Sequence, residues 1–308
     1  MKFDPSLHFT ARTFQRTQSV PTKNYPQNIG LVILFFFVVM FFGQMLGMIV
    51  ITILGFSSDA TLPMLYSTAF STICSVLYCC KIEKRSLRAM GFTKQNAVFQ
   101  YLIGMVLGTA MLGGAVMLAK AFGAMTYQGI AEPIAWGSLA VYFFGWVLQG
   151  MSEEVLCRSQ LLCGLGVYRS PWVSILISGG VFTALHLANP NTSILGFVNL
   201  FLFGVFSALL FLRTDNIWMV SALHSLWNCA QGNLFGIEVS GMTIDTTIFR
   251  FSAVEGMNFI SGGAFGIEGG LAATSVLLLG SAVLLFEFRN PSKLSPEVSQ
   301  PLPLPKEA

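Results

Sequence analysis

The chain has 308 residues, of which 54% are hydrophobic and 10% are charged, and its formal net charge is +3. Soluble domains carry about 25% charged residues, so this composition excludes a soluble protein and indicates a polytopic membrane protein. For such a chain, length does not predict a number of domains.

Eight apolar stretches are long enough to cross a membrane, since a transmembrane helix needs about 20 residues. They lie at residues 29–55, 61–80, 97–119, 135–164, 171–189, 193–213, 216–236 and 269–287. The fourth is too long for one simple crossing and is expected to end in an interfacial turn. The sequence therefore predicts an all-α fold, a polytopic integral membrane bundle of about eight transmembrane helices.

Basic residues near the span ends predict the orientation, because cytoplasmic loops carry an excess of Lys and Arg. The two tails and the loop after the second span hold most of them, including Lys81 and Arg85, and with eight spans these segments share one side. The opposite side holds only Lys120 and Arg250. We expect both termini in the cytoplasm. Orientation and anionic lipid explain the basic residues, so no nucleic-acid partner is expected.

The chain divides into three segments. Residues 1–28 are predicted to be a cytoplasmic tail, 29–289 a single transmembrane domain, and 290–308 a disordered cytoplasmic tail, because the last segment is rich in Pro and Ser. The first span is too long for a signal peptide and is interpreted as a permanent anchor. Residues 237–268, the only long outer connection, are interpreted as a plain connecting loop in preference to a substrate-facing element.

Three ionisable residues, Glu153, Glu154 and Arg158, lie within the fourth apolar stretch. A charged residue at bilayer depth costs about 2.5–3.5 kcal/mol on insertion scales and usually faces a partner or a water-filled cavity. Glu154 and Arg158 have the i, i+4 spacing of an ion pair along a helix. Glu153 is turned by about 100° from Glu154, so it is free to face a cavity.

Two later apolar stretches carry further polar residues. His186 follows Phe182 by four residues, and His224 precedes Asn228 by four. Counted along the helices, these residues and Glu153 fall at similar intermediate depth. One polar pocket can hold them if the fourth, fifth and seventh spans are neighbours. Phe182 is expected to pack against this pocket.

This set of residue types suits peptide hydrolysis, which needs an activated water, a stabiliser for the oxyanion and a proton donor for the leaving amine. Glu153 suits the general base. His186 could help to hold the water or bind a metal, and His224 and Asn228 could donate to the oxyanion. Glu153, His186 and His224 also form a plausible zinc set with one position open for water. Metal-assisted and metal-free hydrolysis both stay open.

At these residues the sequence resembles the CPBP family of intramembrane proteases, the CAAX-protease and bacteriocin-processing family. Its first motif is two glutamates with an arginine four residues after the second, its second is Phe-x-x-x-His, and its third is His with Asn four residues later. The three motifs correspond, in order, to Glu153, Glu154 and Arg158, to Phe182 and His186, and to His224 and Asn228. The protease-like core covers about residues 135–236.

The resemblance implies an all-helical membrane endopeptidase that cuts a peptide or membrane-protein substrate near the cytoplasmic side or within the bilayer. By analogy, Glu153 and His186 activate water, His224 and Asn228 form the oxyanion site, and Glu154 and Arg158 shape the pocket. Some members remove the last three residues of prenylated CAAX proteins, and others serve bacteriocin maturation or self-immunity. The family has been described with metal-dependent and with metal-free glutamate mechanisms. The chain is compact and shows no organelle signal, which is typical of a prokaryotic protein, so a bacterial cytoplasmic membrane is expected.

Two other classes of function compete. A non-enzymatic membrane scaffold, or a binding protein of the bacteriocin-immunity type, would use the same polar residues to hold helices together. A proton-coupled transporter would use intramembrane Glu and His as a relay. The repeat symmetry that is typical of transporters is not visible in the sequence.

Overall fold

The structure is a computed structural model, and it describes residues 13, 16–17, 24–57 and 61–288. The tail 290–308, for which the sequence predicts disorder, and most of the predicted tail 1–28 lie outside the described residues.

Three long helices form the first part of the chain. They are α1 (Ile29–Ile53), α2 (Thr61–Leu77) and α3 (Ala97–Ala121). A π-helical turn, Tyr78–Ile82, extends α2. Apolar residues cover α1 and α3 almost all round, as expected for helices that face lipid on one side and protein on the other, whereas α2 buries Ser67, Ser71 and Ser75.

The middle of the chain holds four helices. They are α4 (Trp136–Glu154), α5 (Pro171–Ala184), α6 (Ile194–Thr214) and α7 (Ile217–Cys229). Two of them continue as π-helix, α4 through Val155–Leu162 to a last turn at Cys163–Leu165, and α7 through Ala230–Leu234.

A capping side chain stands before each of α5, α6 and α7. Ser170, Ser193 and Asn216 each accept a hydrogen bond from the backbone N–H three residues further on. Such caps satisfy one of the free N–H groups at a helix start. The sequence therefore fixes where these three helices begin.

A two-stranded antiparallel sheet joins two connections that are far apart in sequence. Strand β1 (Met125–Ile130) pairs with β2 (Phe249–Ala253), and Met125 lies opposite Ala253. A short helix, α8 (Asn258–Ser261), follows, and the chain ends its described part with α9 (Leu271–Phe288). The all-α prediction holds for the bulk of the chain but missed this sheet.

Helix α7 lies inside the bundle, where it packs against α3 and α4. Helix α2 packs between α1 and α4, and α6 packs against α5 and α9. The π segment after α4 contacts α5. The segments that carry the predicted site residues therefore lie next to one another.

Among the described residues, five helices are long and apolar enough to cross a membrane: α1, α2 with its π turn, α3, α6 and α9. Five of the eight predicted spans are thus matched by length and composition, and the protein is an integral membrane protein. The other three predicted spans are helices too, but α5 and α7 are only 14 and 13 residues long. Helix α4 has polar residues in its last turns.

Candidate active site

Glu154 and Arg158 form a buried ion pair. Arg158 Nε lies 3.0 Å from Glu154 Oε2, and both side chains are 0% exposed. The other oxygen of Glu154, Oε1, lies 2.8 Å from Nδ1 of His224. Because a carboxylate accepts hydrogen bonds, Nδ1 of His224 carries the proton and donates. Glu154 thus connects the guanidinium of Arg158 to the imidazole on α7 and fixes the orientation of that ring.

Glu153 has a different environment from its neighbour. Gln149 Nε2 donates to Glu153 Oε1 at 2.6 Å, and Asn228 Nδ2 donates to Gln149 Oε1 at 3.0 Å. Oε2 of Glu153 has no hydrogen-bond partner among the described residues and lies 3.8 Å from Nε2 of His224. Oε2 of Glu154 also lacks a hydrogen bond among the described residues, but it is ion-paired with Arg158, whereas Oε2 of Glu153 faces no Arg or Lys there.

His186 lies in the turn after α5, because that helix ends at Ala184 and not at residue 189 as predicted. Its Nδ1 lies 2.9 Å from the carbonyl oxygen of Phe182. A carbonyl only accepts, so Nδ1 donates and the neutral ring keeps an acceptor at Nε2. The Phe182 ring lies 4.9 Å from the His186 ring and 5.8 Å from the His224 ring. Phe182 therefore packs against both imidazoles.

One cavity of about 370 Å³ collects these side chains. The residues predicted to be catalytic all line it: Glu153, His186, His224 and Asn228. Met40 from α1 and Met64 and Leu65 from α2 add apolar wall. The predicted shared pocket of the fourth, fifth and seventh segments is therefore present in the structure.

Gly150 brings α4 close to α7. A Cβ at this position would lie 2.4 Å from Oγ of Ser225 and 2.7 Å from its backbone N, closer than real Cβ atoms come. Ser225 adjoins His224 in sequence. Because Gly150 has no side chain, α4, which carries the glutamates, can pack close to α7, which carries His224.

The π segment Val155–Leu162 directly follows the two glutamates. Such wide turns are rare and occur often at functional sites. Side chains from other segments bond its backbone: Ser178 Oγ donates to the carbonyl of Cys157 at 2.9 Å, and the Arg85 guanidinium donates to the carbonyl of Ser159. These contacts stabilise the turn that carries Arg158.

Glu268 is a cavity residue that the sequence did not predict. Its Oε1 accepts from Trp227 Nε1 at 3.1 Å, and its Oε2 accepts from the backbone N and Oγ of Ser240 at 2.9 and 2.7 Å. Ser240 and Glu268 both line the cavity. Residues 237–268 are therefore not a plain connecting loop, since they form part of the cavity wall.

The sequence suggested Glu153, His186 and His224 as a zinc set with one position open for water. Each histidine has its Nδ1 occupied and its Nε2 free, which suits a metal ligand. However, among the residues that the structure describes, no group of three or more His, Cys, Asp or Glu side chains is placed so that it could hold a metal ion.

Gln149 is the second site residue that sequence reasoning missed. It joins Glu153 to Asn228, and it lies four residues before Glu153 on the same helix face. A polar residue at that spacing in an apolar stretch was the available signal. Glu268 offered no such signal, because its role depends on how the outer connection folds back.

Residues 135–230 match the family model described as Type II CAAX prenyl endopeptidase Rce1-like. The match begins at the start of α4 and ends just after α7, so it contains all the motif residues. The resemblance to the CPBP family is confirmed over these residues. No curated protein matches the chain.

Proposed function

We propose that the protein is an intramembrane endopeptidase that uses Glu153 as general base on a water molecule, without a metal ion. The observation that carries the proposal is the free oxygen of Glu153. This oxygen lies beside His224 Nε2, at the wall of a cavity that also holds His186 and Asn228.

In the first step, Oε2 of Glu153 takes a proton from the water as the water oxygen bonds to the scissile carbonyl carbon. Gln149 holds the other carboxylate oxygen and so orients the base. His186 accepts the second hydrogen of the water at Nε2, since its Nδ1 is used by Phe182. When Glu153 and His186 each accept one hydrogen of the water, a lone pair of the water oxygen is oriented toward the carbonyl carbon.

The oxyanion then receives two hydrogen bonds. Asn228 has two N–H groups, one of which is used by Gln149, so the second can donate to the oxyanion. His224 donates from Nε2 as an imidazolium, and Glu154 at Nδ1 stabilises its positive charge. As the C–N bond breaks, the protonated Glu153 gives its proton to the leaving amine. The products are a carboxylic acid and an amine.

A purely structural role accounts for Glu154 and Arg158 but not for Glu153. The first two side chains are 0% exposed and paired with each other, whereas Glu153 is 21% exposed and faces the cavity. A scaffold would not require an unbonded carboxylate oxygen beside an imidazole. This contrast favours the peptidase over the non-enzymatic scaffold.

The test is cleavage of a membrane-peptide library by the purified protein in detergent, with products identified by mass spectrometry. Glu153→Gln should abolish cleavage because the amide cannot take a proton, while helix content and size-exclusion profile stay unchanged. Glu255→Gln, which changes an exposed carboxylate away from the cavity, should cleave like the unaltered protein. Full activity of Glu153→Gln would reject the role of Glu153.

The metal-free mechanism is tested in the same assay with a strong zinc chelator. Activity should persist after prolonged incubation and dialysis. Loss of activity with the chelator, and its return on adding zinc, would show instead that the site binds a metal ion in a geometry different from the present one.

A further inference from the structure

Glu268 is held on the cavity wall by donors that carry no charge. Its four hydrogen bonds come from Trp227 Nε1, the backbone N and Oγ of Ser240, and Gln231 Nε2. All four groups donate, a pattern that suits an ionised carboxylate, which only accepts. Among the described residues, no Lys, Arg or His forms an ion pair with Glu268.

Acceptor positions remain open at Glu268 and at a buried neighbouring side chain. A carboxylate has about four lone-pair sites. Among the described residues, three of the four donors bond Oε2 and only Trp227 bonds Oε1, which leaves one acceptor site at Oε1. The Oε1 atom of Gln231, on the side chain that donates to Glu268, is buried without a hydrogen-bond partner among the described residues. Burial of a charge is costly unless a partner compensates it.

The rest of the cavity provides no such partner. Its described lining residues include two carboxylates, Glu153 and Glu268, and two histidines, but no Lys or Arg. Arg158 lies 5.3 Å from the Phe182 ring, and Glu154 already neutralises it. The imidazolium of His224 lies between Glu153 and Glu154, so among the described lining residues no fixed cation balances the charge of Glu268.

We propose that Glu268 selects substrates by charge. The cavity favours a peptide segment with a cationic group, a Lys or Arg side chain or an ammonium, close to the scissile bond, and it disfavours a segment with a free carboxylate there. The substrate cation bonds Oε1 of Glu268 and supplies the positive charge that the wall lacks. This inference rests on the proposed peptidase function, and it identifies the class of substrate for the same cavity.

One consequence concerns CAAX substrates. Family members that act on them remove the last three residues, so the cleaved bond lies near a terminal carboxylate. In this chain such a carboxylate would enter a cavity that already contains Glu153 and Glu268. Like charges at short range repel, so we expect this chain to cut internal bonds and to reject a free C-terminus beside the cleaved bond.

The test uses an apolar 12-residue peptide with one Lys, Gln or Glu scanned through its positions, each made as the C-terminal acid and the amide. At the peptide position where the substitution changes the rate most, the unaltered protein should have its highest kcat/KM with Lys and its lowest with Glu. The span, defined as the ratio of these two kcat/KM values, should be tenfold or more. In Glu268→Gln the span should fall to about threefold or less, because the Lys substrate loses its charged partner. Equal spans in the two proteins would overturn the proposal.

Glu255→Gln is the matched control, because it removes one negative charge from an exposed site outside the cavity. It should keep the full Lys preference. If it loses the preference as Glu268→Gln does, general surface charge explains the selectivity and the proposal is wrong.

A peptide-binding measurement tests this inference separately from the peptidase function. Affinities of the fluorescently labelled Lys and Glu peptides are measured for Glu153→Gln, which should not cleave them, and for the double variant Glu153→Gln/Glu268→Gln. If Glu153→Gln binds the Lys peptide more tightly than the Glu peptide, and the double variant does not, the inference is supported. This holds even if the unaltered protein cleaves no peptide, because a lack of cleavage would count only against the peptidase function. No preference in the first protein overturns the inference, whatever the cleavage results.

Discussion

Two adjacent glutamates should respond in opposite ways to the same substitution. Glu154→Ala should lower the stability of the bundle strongly, while Glu153→Ala should abolish cleavage and leave stability nearly unchanged. The reason is that Glu154 bonds both Arg158 and His224, whereas Glu153 accepts a hydrogen bond only from the neutral Gln149 among its described contacts.

The magnitudes follow from burial. Removal of Glu154 leaves Arg158, which is 0% exposed, without a carboxylate, and breaking a buried ion pair in this way costs about 3–5 kcal/mol. It also removes the acceptor of His224 Nδ1. Removal of Glu153 breaks one hydrogen bond to a side chain that is 21% exposed, which costs about 1 kcal/mol. The two variants should therefore differ by about 2 kcal/mol or more.

The measurement is the free energy of unfolding in mixed micelles, obtained by titration with SDS and followed by circular dichroism. A double variant, Glu154→Ala/Arg158→Ala, serves as control: it removes the stranded cation and should recover about 1 kcal/mol or more of the loss. Equal stability of the two single variants, or no recovery in the double variant, would show that the buried pair does not hold the bundle together as described.

Three further changes test the geometry of the site. Gly150→Ala should lower kcat about 100-fold, because its methyl group would push α4 away from Ser225 and small misplacements of catalytic groups are costly. The control is Gly114→Ala, where a Cβ meets nothing within 4 Å, and it should leave kcat unchanged. Asn228→Ala should lower kcat about 100-fold or more with little change in KM, as expected for an oxyanion donor, and a change in KM alone would assign Asn228 to substrate binding. Gln149→Leu should lower kcat about tenfold through loss of the bond that orients the base, and pre-steady-state measurements should show a slower chemical step; an unchanged chemical step would contradict this role.

The sequence was sufficient to place the motif residues around one cavity. Charged and polar residues are costly in apolar stretches, so their presence at Glu153, His186 and His224 was itself a signal of a shared site. The i, i+4 spacing also predicted the pair of Glu154 and Arg158, which the structure contains. These predictions needed only local geometry and the energetics of burial.

The parts that were missed depend on contacts between distant segments. Strands β1 and β2 are separated by more than a hundred residues, and neither has a pattern that identifies its partner. Glu268 lies among glycines in a segment whose composition is typical of a turn, and its place in the cavity wall follows from bonds to Trp227 and Ser240. Periodicity reports which face of a helix is apolar, but it does not report which loop folds over a cavity.

The widened turn after Glu154 has a consequence for the length of the chain. A π turn holds more residues than an α-helical turn does, so the position of a deletion within it matters. Deleting a residue after Arg158 would leave the spacing between Glu154 and Arg158 unchanged, whereas deleting one of residues 155–157 would shorten it from i, i+4 to i, i+3. With α-helical winding, the second deletion would turn Arg158 by about 100° around the helix relative to Glu154. Two proteins that both contain the glutamates and the arginine, but differ by one residue between them, would therefore hold the guanidinium differently against the carboxylate.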